Sequence, residues 1–235
     1  MVRLWPKKRA QKNNNTTDLA GYLVTVLDPT GTTSEAYRAL RTNLIYAAVD
    51  TPPKVILLTG PGHKVGKSTT CANLGVVLAQ AGKKTLIIDC DLRKPDVHRI
   101  FGVRNVLGWV NVVHGEHNLS EVWMEALPEL KVVPVGPIPP NPAELLGSVR
   151  FAELLNEARQ LFDYVLIDSP PTESVSDPTI IAAQADAVVL VLDSQVTRKV
   201  SLRRAVHGLE AVGANILGTV MNNAEDTRVG SYYYG

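Results

Sequence analysis

The sequence is short of cysteine and has no long hydrophobic run, and these shortages exclude two broad classes of protein. Its two cysteines, Cys71 and Cys90, lie inside predicted core elements, so we expect no disulfide and a reducing, cytoplasmic compartment. The longest apolar runs, such as 187–192, are far shorter than the roughly 20 residues that a helix needs to cross a bilayer. The basic N-terminus has no apolar segment after it, which excludes a secretory signal.

The sequence also lacks an excess of charge of either sign. The 235 residues carry a formal net charge of +1, which gives no argument for a nucleic-acid partner. The first twelve residues contain five Lys or Arg and no acid, which leaves 19 basic and 23 acidic residues in the rest of the chain. We predict a flexible basic arm over residues 1–20. The histidines and cysteines show no spacing typical of metal ligands, so we predict no zinc site.

What the sequence does contain is a regular alternation of short apolar runs with helical stretches. The runs cover 55–60, 85–91, 130–136, 164–170, 187–193 and 216–222, and the helical stretches include 34–49, 67–81, 149–162, 176–185 and 197–212. Strands that are apolar throughout are typical of parallel sheets covered by helices on both faces. The pattern predicts one doubly wound, mainly parallel α/β domain over residues 21–228. Ser34 is the predicted N-cap of the helix that precedes the first strand.

A glycine-rich turn, TGPGHKVGKSTT at 59–70, joins the first predicted strand to an apolar helix. Backbone N–H groups in such a turn point at phosphate oxygens, and the helix N-terminus adds a positive dipole end. Lys67 would bridge the β- and γ-phosphates of ATP, and the Ser68 hydroxyl would ligate Mg²⁺. The motif predicts a domain of P-loop NTPase type, although Pro61 stands where the strict motif has its first glycine. The alternative is a glycine-rich turn with an incidental lysine. The predicted nucleotide-binding loop consists of Gly62, His63, Lys64, Val65, Gly66, Lys67, Ser68 and Thr69.

Two predicted strands end in aspartates, and parallel strands that end at the same edge of a sheet place such groups beside a bound nucleotide. Asp89 and Asp91 follow one strand and Asp168 ends another. Asp168 would hold Mg²⁺ through water, Asp89 would support the metal and the nucleophile, and Asp91 would orient or deprotonate an attacking hydroxyl. We therefore predict Lys67 and these three aspartates as catalytic residues, and Ser68, Asp89 and Asp168 as the metal site. A strand-end aspartate that only caps the following turn is the alternative.

The end of the chain offers two further features. Asn222 closes the last apolar run, where an asparagine often forms a turn; a resemblance to related ATPases implies instead that it hydrogen-bonds the adenine base. The last seven residues, 229–235, include Tyr232, Tyr233 and Tyr234 between two glycines. A tyrosine run of this kind is a sticky decoration, a docking peptide or a substrate.

Taken together, the motifs resemble those of bacterial tyrosine kinases. TGPGHKVGKSTT, LIIDCDLRKP and YVLIDSPP resemble that family's Walker A, Walker A′ and Walker B motifs. SEAYRALRTNL at 34–44 resembles its E-x-x-R-x-x-R helix, PPNPAELLGSVRF at 139–151 resembles its P-P-N-P-x-E-L-L segment, and SYYYG resembles its C-terminal tyrosine cluster. The loop departs from the commoner P-G-E-G-K wording, and three tyrosines make a short cluster.

The resemblance implies an activity and an assembly. It implies transfer of the γ-phosphate of ATP, with Mg²⁺, to Tyr232, Tyr233 and Tyr234 of a neighbouring subunit. Glu35, Arg38 and Arg41 would pack subunits into a ring, octameric in the family; a solvated ion pair between the first two is the alternative. The resemblance further implies a cytoplasmic enzyme of capsule or exopolysaccharide export, at the inner face of the plasma membrane, activated by a membrane-embedded polysaccharide co-polymerase. The basic arm would contact anionic lipid or this activator, or serve only solubility.

A second function shares the same motifs. MinD/ParA-like ATPases use this fold to switch assembly states without phosphorylating protein. That group carries a signature lysine five residues before the Walker lysine, and Gly62 occupies this place here. The sequence therefore favours the kinase over the positioning ATPase. A degenerate nucleotide-binding scaffold is disfavoured, because the loop lysine, the loop serine and all three aspartates are present.

Overall fold

The computed structural model describes residues 20–47 and 52–224. The predicted tyrosine tail and all but the last residue of the predicted basic arm lie outside the described residues. The helices are α1 Val24–Leu27, α2 Thr32–Tyr46, α3 Lys67–Gln80, α4 Val97–Ile100, α5 Trp109–Val113, α6 Leu119–Val122, α7 Pro142–Leu146, α8 Val149–Leu161, α9 Asp177–Ala182 and α10 Lys199–Glu210. The strands are β1 Val55–Thr59, β2 Thr85–Asp89, β3 Met124–Leu127, β4 Leu130–Val133, β5 Tyr164–Asp168, β6 Ala187–Asp193 and β7 Ile216–Asn222. Within the described residues, no helix is both long and apolar enough to cross a bilayer.

The seven strands form one sheet in the order β3-β4-β2-β5-β1-β6-β7. All neighbouring pairs are parallel except β3 and β4. This confirms the predicted α/β class and the predicted run of parallel strands. The central strands β1, β2, β5 and β6 are buried at every position, as expected for strands with helices on both faces.

The two faces of the sheet support two separate hydrophobic clusters. Side chains alternate along a strand, so Val55 and Leu57 of β1 enter one cluster while Ile56 and Leu58 enter the other. The first cluster contains residues of α5, α8 and α9, and the second contains residues of α2 and α3. Each of these four side chains of β1 therefore belongs to one of the two hydrophobic clusters, which explains why the strand is apolar at successive positions.

Both edges of the sheet differ from the prediction. The hairpin strand β3 is not predicted by the apolar pattern, because it runs antiparallel to β4 and its four side chains are only partly buried or exposed. At the other edge, β7 is partly exposed along its length, although its apolar sequence predicts burial on both faces. Edge strands have a neighbour on one side only, and sequence composition does not report that.

The predicted N-cap of α2 is wrong. The helix begins at Thr32 with Gly31 as its cap, so Ser34 lies inside the first turn and is fully buried. Its hydroxyl donates to the carbonyl oxygens of Val24 and Asp28 at 3.2 and 2.6 Å. Ser34 thus ties α2 to the preceding short helix, because a buried hydroxyl needs an acceptor.

The strand order brings the chemically important strand ends together. β5 lies between β2 and β1, and the register aligns Asp89 with Asp168 and Asp168 with Leu58. The phosphate loop begins directly after β1, at the same carboxyl-terminal ends of the parallel strands. Gly60 makes this exit possible: a Cβ on it would lie 2.2 Å from the carbonyl oxygen of Val191 in β6.

We predict that Gly60→Ala destabilises the protein. The clash is with backbone rather than with a movable side chain, so β1 and β6 must separate where the phosphate loop begins. The expected loss in the free energy of unfolding is about 2–4 kcal/mol, measured by urea denaturation. Gly21→Ala is the matched control, since a Cβ there meets nothing within 4 Å. Equal stability of both variants would contradict the packing described.

Candidate active site

The phosphate loop is shaped by two residues with left-handed backbone. Lys64 has φ 58° and Gly66 has φ 91°, a conformation that turns successive N–H groups toward one side of the loop. No backbone N–H of residues 62–69 donates a hydrogen bond to another described residue. These free donors, followed by the N-terminus of α3, form a site for an anion.

Lys67 is the cation of this site. It is 7% exposed, and its Nζ donates to the carbonyl oxygen of Gly62 at 3.1 Å. Burial lowers its pKa, whereas the negative charges of Asp168 and Asp91 oppose that shift. The structure thus brings together the predicted loop lysine and two of the predicted aspartates.

Asp168 is a buried carboxylate with no partner. Neither of its side-chain oxygens accepts a hydrogen bond from a described residue, and the residue is 0% exposed. Burial raises the pKa of Asp168 to about 7, against the opposing effects of the nearby Ser68 hydroxyl and the Lys67 ammonium group. Because an unpaired buried carboxylate is costly, this residue is well suited to receive a ligand.

Asp89 lies beside Asp168 but is fully engaged with backbone. Its Oδ1 accepts from the N–H of Asp91 at 3.1 Å, and its Oδ2 accepts from those of Asp96 and Val97, each at 3.1 Å. Burial, followed by the charge of Asp168, raises its pKa. Asp89 therefore holds the turn that follows β2, as the capping alternative anticipated. Its predicted contribution to the metal site stays a prediction.

Asp91 projects from that turn into the cavity that contains the loop. Its Oδ1 accepts from the N–H groups of Arg93 and Lys94 at 3.2 and 2.9 Å. Burial raises the pKa of this carboxyl, while those two hydrogen bonds oppose the shift. A fixed carboxylate with one oxygen still free is suited to accept a proton from a substrate hydroxyl.

Asn222 braces the loop from behind. Its Nδ2 donates to the carbonyl oxygen of Val65 at 2.8 Å and to the Thr70 hydroxyl at 3.2 Å. A Cβ on Gly66 would lie 2.3 Å from the same nitrogen. The amide nitrogen is thus committed to the protein, and the predicted adenine contact, which stays a prediction, would fall to the side-chain oxygen.

Three contacts that fix the site are not predicted from the sequence. The indole Nε1 of Trp109 donates to the carbonyl oxygen of Asp89 at 2.7 Å. The Nε of Arg93 lies 3.6 Å from the buried carboxylate of Asp177 at the start of α9. His63, a member of the predicted nucleotide-binding loop, pairs its Nε2 with the hydroxyl of Ser174 at 3.0 Å. The sequence shows Arg93 two residues after Asp91, but it does not show that Arg93 pairs with the buried Asp177.

A cavity of about 820 Å³ lies against the phosphate loop and the turn that carries Asp91. Its lining includes the phosphate loop from His63 to Thr69, apart from Val65, together with Tyr22, Asp91, Lys94 and Arg99. Its basic side chains suit a polyphosphate. The space beside Asp91 is open to a second substrate.

The three residues of the predicted interface are all engaged within the chain. Arg38 donates from Nη2 to Glu35 and to the carbonyl oxygen of Pro29, each at 2.6 Å. Arg41 donates from Nη1 to the carbonyl oxygen of Val77 in α3 at 3.0 Å. The Glu35 side chain remains 65% exposed and that of Arg38 25%. The ion pair of the alternative interpretation is present, and the exposed carboxylate stays available to a neighbour.

The residues present fit Mg²⁺ and ATP. The free N–H groups and Lys67 suit the phosphates, and the orphaned Asp168 carboxylate with the Ser68 hydroxyl suits a hard cation. The described residues contain no cluster of three or more His, Cys, Asp or Glu arranged around a metal position. That agrees with Mg²⁺ chemistry, in which one or two protein ligands act together with phosphate oxygens and water.

The fold and site together define a P-loop NTPase, and a profile of the family described as an AAA domain matches residues 53–221. A likeness to the septum site-determining protein MinD of Pyrococcus horikoshii, at 21% identity and a TM-score of 0.62 over 73% of this chain and 72% of that one, shows the fold alone.

Closer relatives identify the family. The tyrosine-protein kinase YwqD of Bacillus subtilis is 39% identical over 229 residues, 96% of each chain. The kinase domain of the Escherichia coli tyrosine kinase ETK superposes with a TM-score of 0.83 at 32% identity, over 91% of this chain and 84% of that one. The chain therefore belongs to the bacterial tyrosine-protein kinases.

We predict that Asp168→Asn flattens the pH dependence of stability. The folded pKa of about 7 exceeds the unfolded value of about 3.9, so the native chain loses stability as the pH rises between them. The variant should be more stable by about 1–3 kcal/mol at pH 8 and the gain should vanish near pH 4. Urea denaturation across this range measures it.

The control for that series is Glu157→Gln, which removes one carboxylate from an exposed position of α8. Parallel profiles for the native protein and Asp168→Asn would show that the buried, ionised Asp168 carboxylate does not lower the free energy of unfolding.

Proposed function

We propose that this tyrosine-protein kinase transfers the γ-phosphate of ATP to Tyr232, Tyr233 and Tyr234 of a neighbouring subunit. The observation that carries the proposal is the similarity of the chain to a tyrosine-protein kinase over 96% of both lengths. The site adds the chemistry: an anion-binding loop, an orphaned carboxylate and a second, partly buried carboxylate that lines the cavity.

In this proposal the residues divide the reaction among them. Bound Mg·ATP supplies the phosphoryl group, and the loop N–H groups and Lys67 hold and neutralise its oxygens. Ser68 and Asp168 would hold the cation, which would neutralise charge on the phosphate oxygens when bound, and Asp89 keeps the turn of Asp91 in place. Asp91 accepts the proton of the tyrosine hydroxyl while that oxygen bonds to the γ-phosphorus; the bond to the β–γ bridging oxygen breaks, and ADP leaves.

The proposal extends to assembly and place. Glu35, Arg38 and Arg41 contribute to a ring of subunits, an octamer in the resembling family, in which one subunit's tail reaches the next active site. The enzyme works in the cytoplasm at the inner face of the plasma membrane, activated by a membrane-embedded polysaccharide co-polymerase. Through this partnership it regulates the synthesis and export of capsule or exopolysaccharide.

The positioning ATPase is the less supported alternative. Its likeness is confined to the fold, and Gly62 stands in place of its signature lysine. A Cβ on Gly62 would meet only Val65 Cγ1, at 3.8 Å, so the backbone of the loop does not itself require glycine at this position.

We predict that Lys67→Met abolishes phosphotyrosine formation and that Asp91→Asn lowers its rate by about 10²–10⁴-fold, the usual contribution of a general base. The purified protein is incubated with Mg·ATP, and phosphorylated residues are mapped by mass spectrometry. Lys83→Met is the control, because Lys83 is exposed and lies before β2, at the opposite edge of the sheet.

Retained phosphotyrosine in Lys67→Met would place the chemistry elsewhere, and full activity of Asp91→Asn would reject it as the base. If native protein forms no phosphotyrosine, with or without the activator fragment, but hydrolyses ATP steadily on adding lipid or DNA, the alternative function is correct.

We predict that Glu35→Ala with Arg38→Ala converts the ring to monomers, measured by light scattering. Arg41 is left intact because it anchors α2 to α3. The matched control is Arg150→Ala with Glu153→Ala, another exposed i,i+3 ion pair, at 3.4 Å on α8. An unchanged assembly, or an equal loss in the control, would reject α2 as the ring contact.

A further inference from the structure

A second cavity, of about 590 Å³, adjoins the phosphate loop and plays no part in the reaction described above. Its inner wall is the outer side of the loop, including Gly62 and His63, and its opposite wall is the start of α10. His63 lines both this cavity and the larger one. A ligand here would therefore lie directly beside the active site.

The α10 wall is strongly basic. Arg198, Lys199, Arg203 and Arg204 are all exposed, and residues 194–209 contain no acid. None of these four cations forms an ion pair with another described residue. Only two of them, Arg198 and Arg204, line the cavity, where Glu173 is the single acid. The positive end of the twelve-residue helix α10 adds to their field.

The same wall carries exposed apolar side chains. Val196 is 64% exposed and Val200 is 58% exposed, and both line the cavity. Two valines and two guanidinium groups make a surface with an apolar and a cationic part. That combination suits an aromatic ring that carries a phosphate, since guanidinium groups bind phosphate oxygens through paired hydrogen bonds.

The described part of the chain ends close to the loop that leads into α10. Asn223, the last residue but one that is described, donates from Nδ2 to Asp193 at 2.7 Å, and its carbonyl accepts from the hydroxyl of Ser194. These two residues open the loop that leads into α10. From Ala224 to Tyr232 the chain can span at most roughly 29 Å, and it leaves the described structure next to the loop that precedes the basic wall.

We propose that this cavity is a phosphotyrosine-binding site, filled by the phosphorylated tail of the same chain. The inference rests on the proposed function, because only tyrosine phosphorylation creates the ligand. Each phosphate adds about −1.5 to −2 charges, which Arg198 and Arg204 neutralise while Val196 and Val200 contact the ring. Attachment to the adjacent loop gives the tail a high effective concentration at its own cavity. A tail phosphorylated on a neighbour thus returns to its own subunit.

Binding is tested with a labelled synthetic peptide of residues 224–235, phosphorylated at Tyr233, by fluorescence anisotropy. The protein is the full chain with all three tail tyrosines changed to Phe, which keeps its own tail from competing. The phosphopeptide should bind about tenfold or more tighter than the unphosphorylated peptide. Arg198→Gln with Arg204→Gln should remove that difference, whereas Lys199→Gln with Arg203→Gln, which deletes equal charge outside the cavity, should keep it.

Three results would overturn the site. They are equal affinity for both peptides, an equal loss in the control variant, and equal binding of an acidic peptide of the same charge without aromatic residues, which would indicate a partner's acidic segment instead.

A separate experiment tests whether the tail that fills the cavity belongs to the same chain. Ligating the synthetic phosphopeptide onto the chain gives phosphorylated protein without using its kinase activity. This protein should bind the labelled peptide at least about tenfold more weakly than the Phe variant, because its own tail fills the cavity. Undiminished binding would contradict docking within one chain. None of these binding experiments requires the protein to transfer a phosphoryl group. Failure of the kinase proposal and failure of this site are therefore distinguishable.

Discussion

The arrangement of the active site depends on one buried carboxylate. Asp168 ends a central strand with no hydrogen-bond donor of its own among the described residues, close to the Ser68 hydroxyl and the Lys67 ammonium group. Burial of the ionised carboxylate is unfavourable, and it raises the pKa of Asp168 to about 7. The packed layers on both faces of the sheet keep β5, and with it Asp168, in this buried position. A ligand that brings positive charge would relieve that cost, so binding and stability are coupled.

Asp89 and Asp168 show how burial alone does not assign a role. The two aspartates end neighbouring strands in matched register and are both fully buried. One receives three backbone hydrogen bonds and organises the turn that carries Asp91, whereas the other receives none. This difference matters for the site, because a carboxylate without backbone donors has more of its lone pairs available to a cation.

The sequence predicts the central sheet and the loop well, because both are local patterns. Continuous apolar runs mark β1, β2, β5 and β6, and the glycine-lysine-serine turn marks the anion site. The different roles of Asp89 and Asp168 were not predictable, since they depend on where backbone donors from residues 91–97 fold back. Neither was the bracing of the loop by Asn222, 157 positions from Val65, nor the exposure of β7, which follows from strand order. The interface role of α2, the tail tyrosines as acceptors and the adenine contact remain predictions.

The central claim is that Asp168 provides the protein's carboxylate for the nucleotide-bound cation. It is tested most directly by thermal unfolding of the native protein and of Asp168→Asn with saturating ADP, with and without Mg²⁺. The account predicts that Mg²⁺ raises the Tm of the native protein beyond the effect of ADP and adds little or nothing in the variant. An equal increase from Mg²⁺ in both proteins would contradict it.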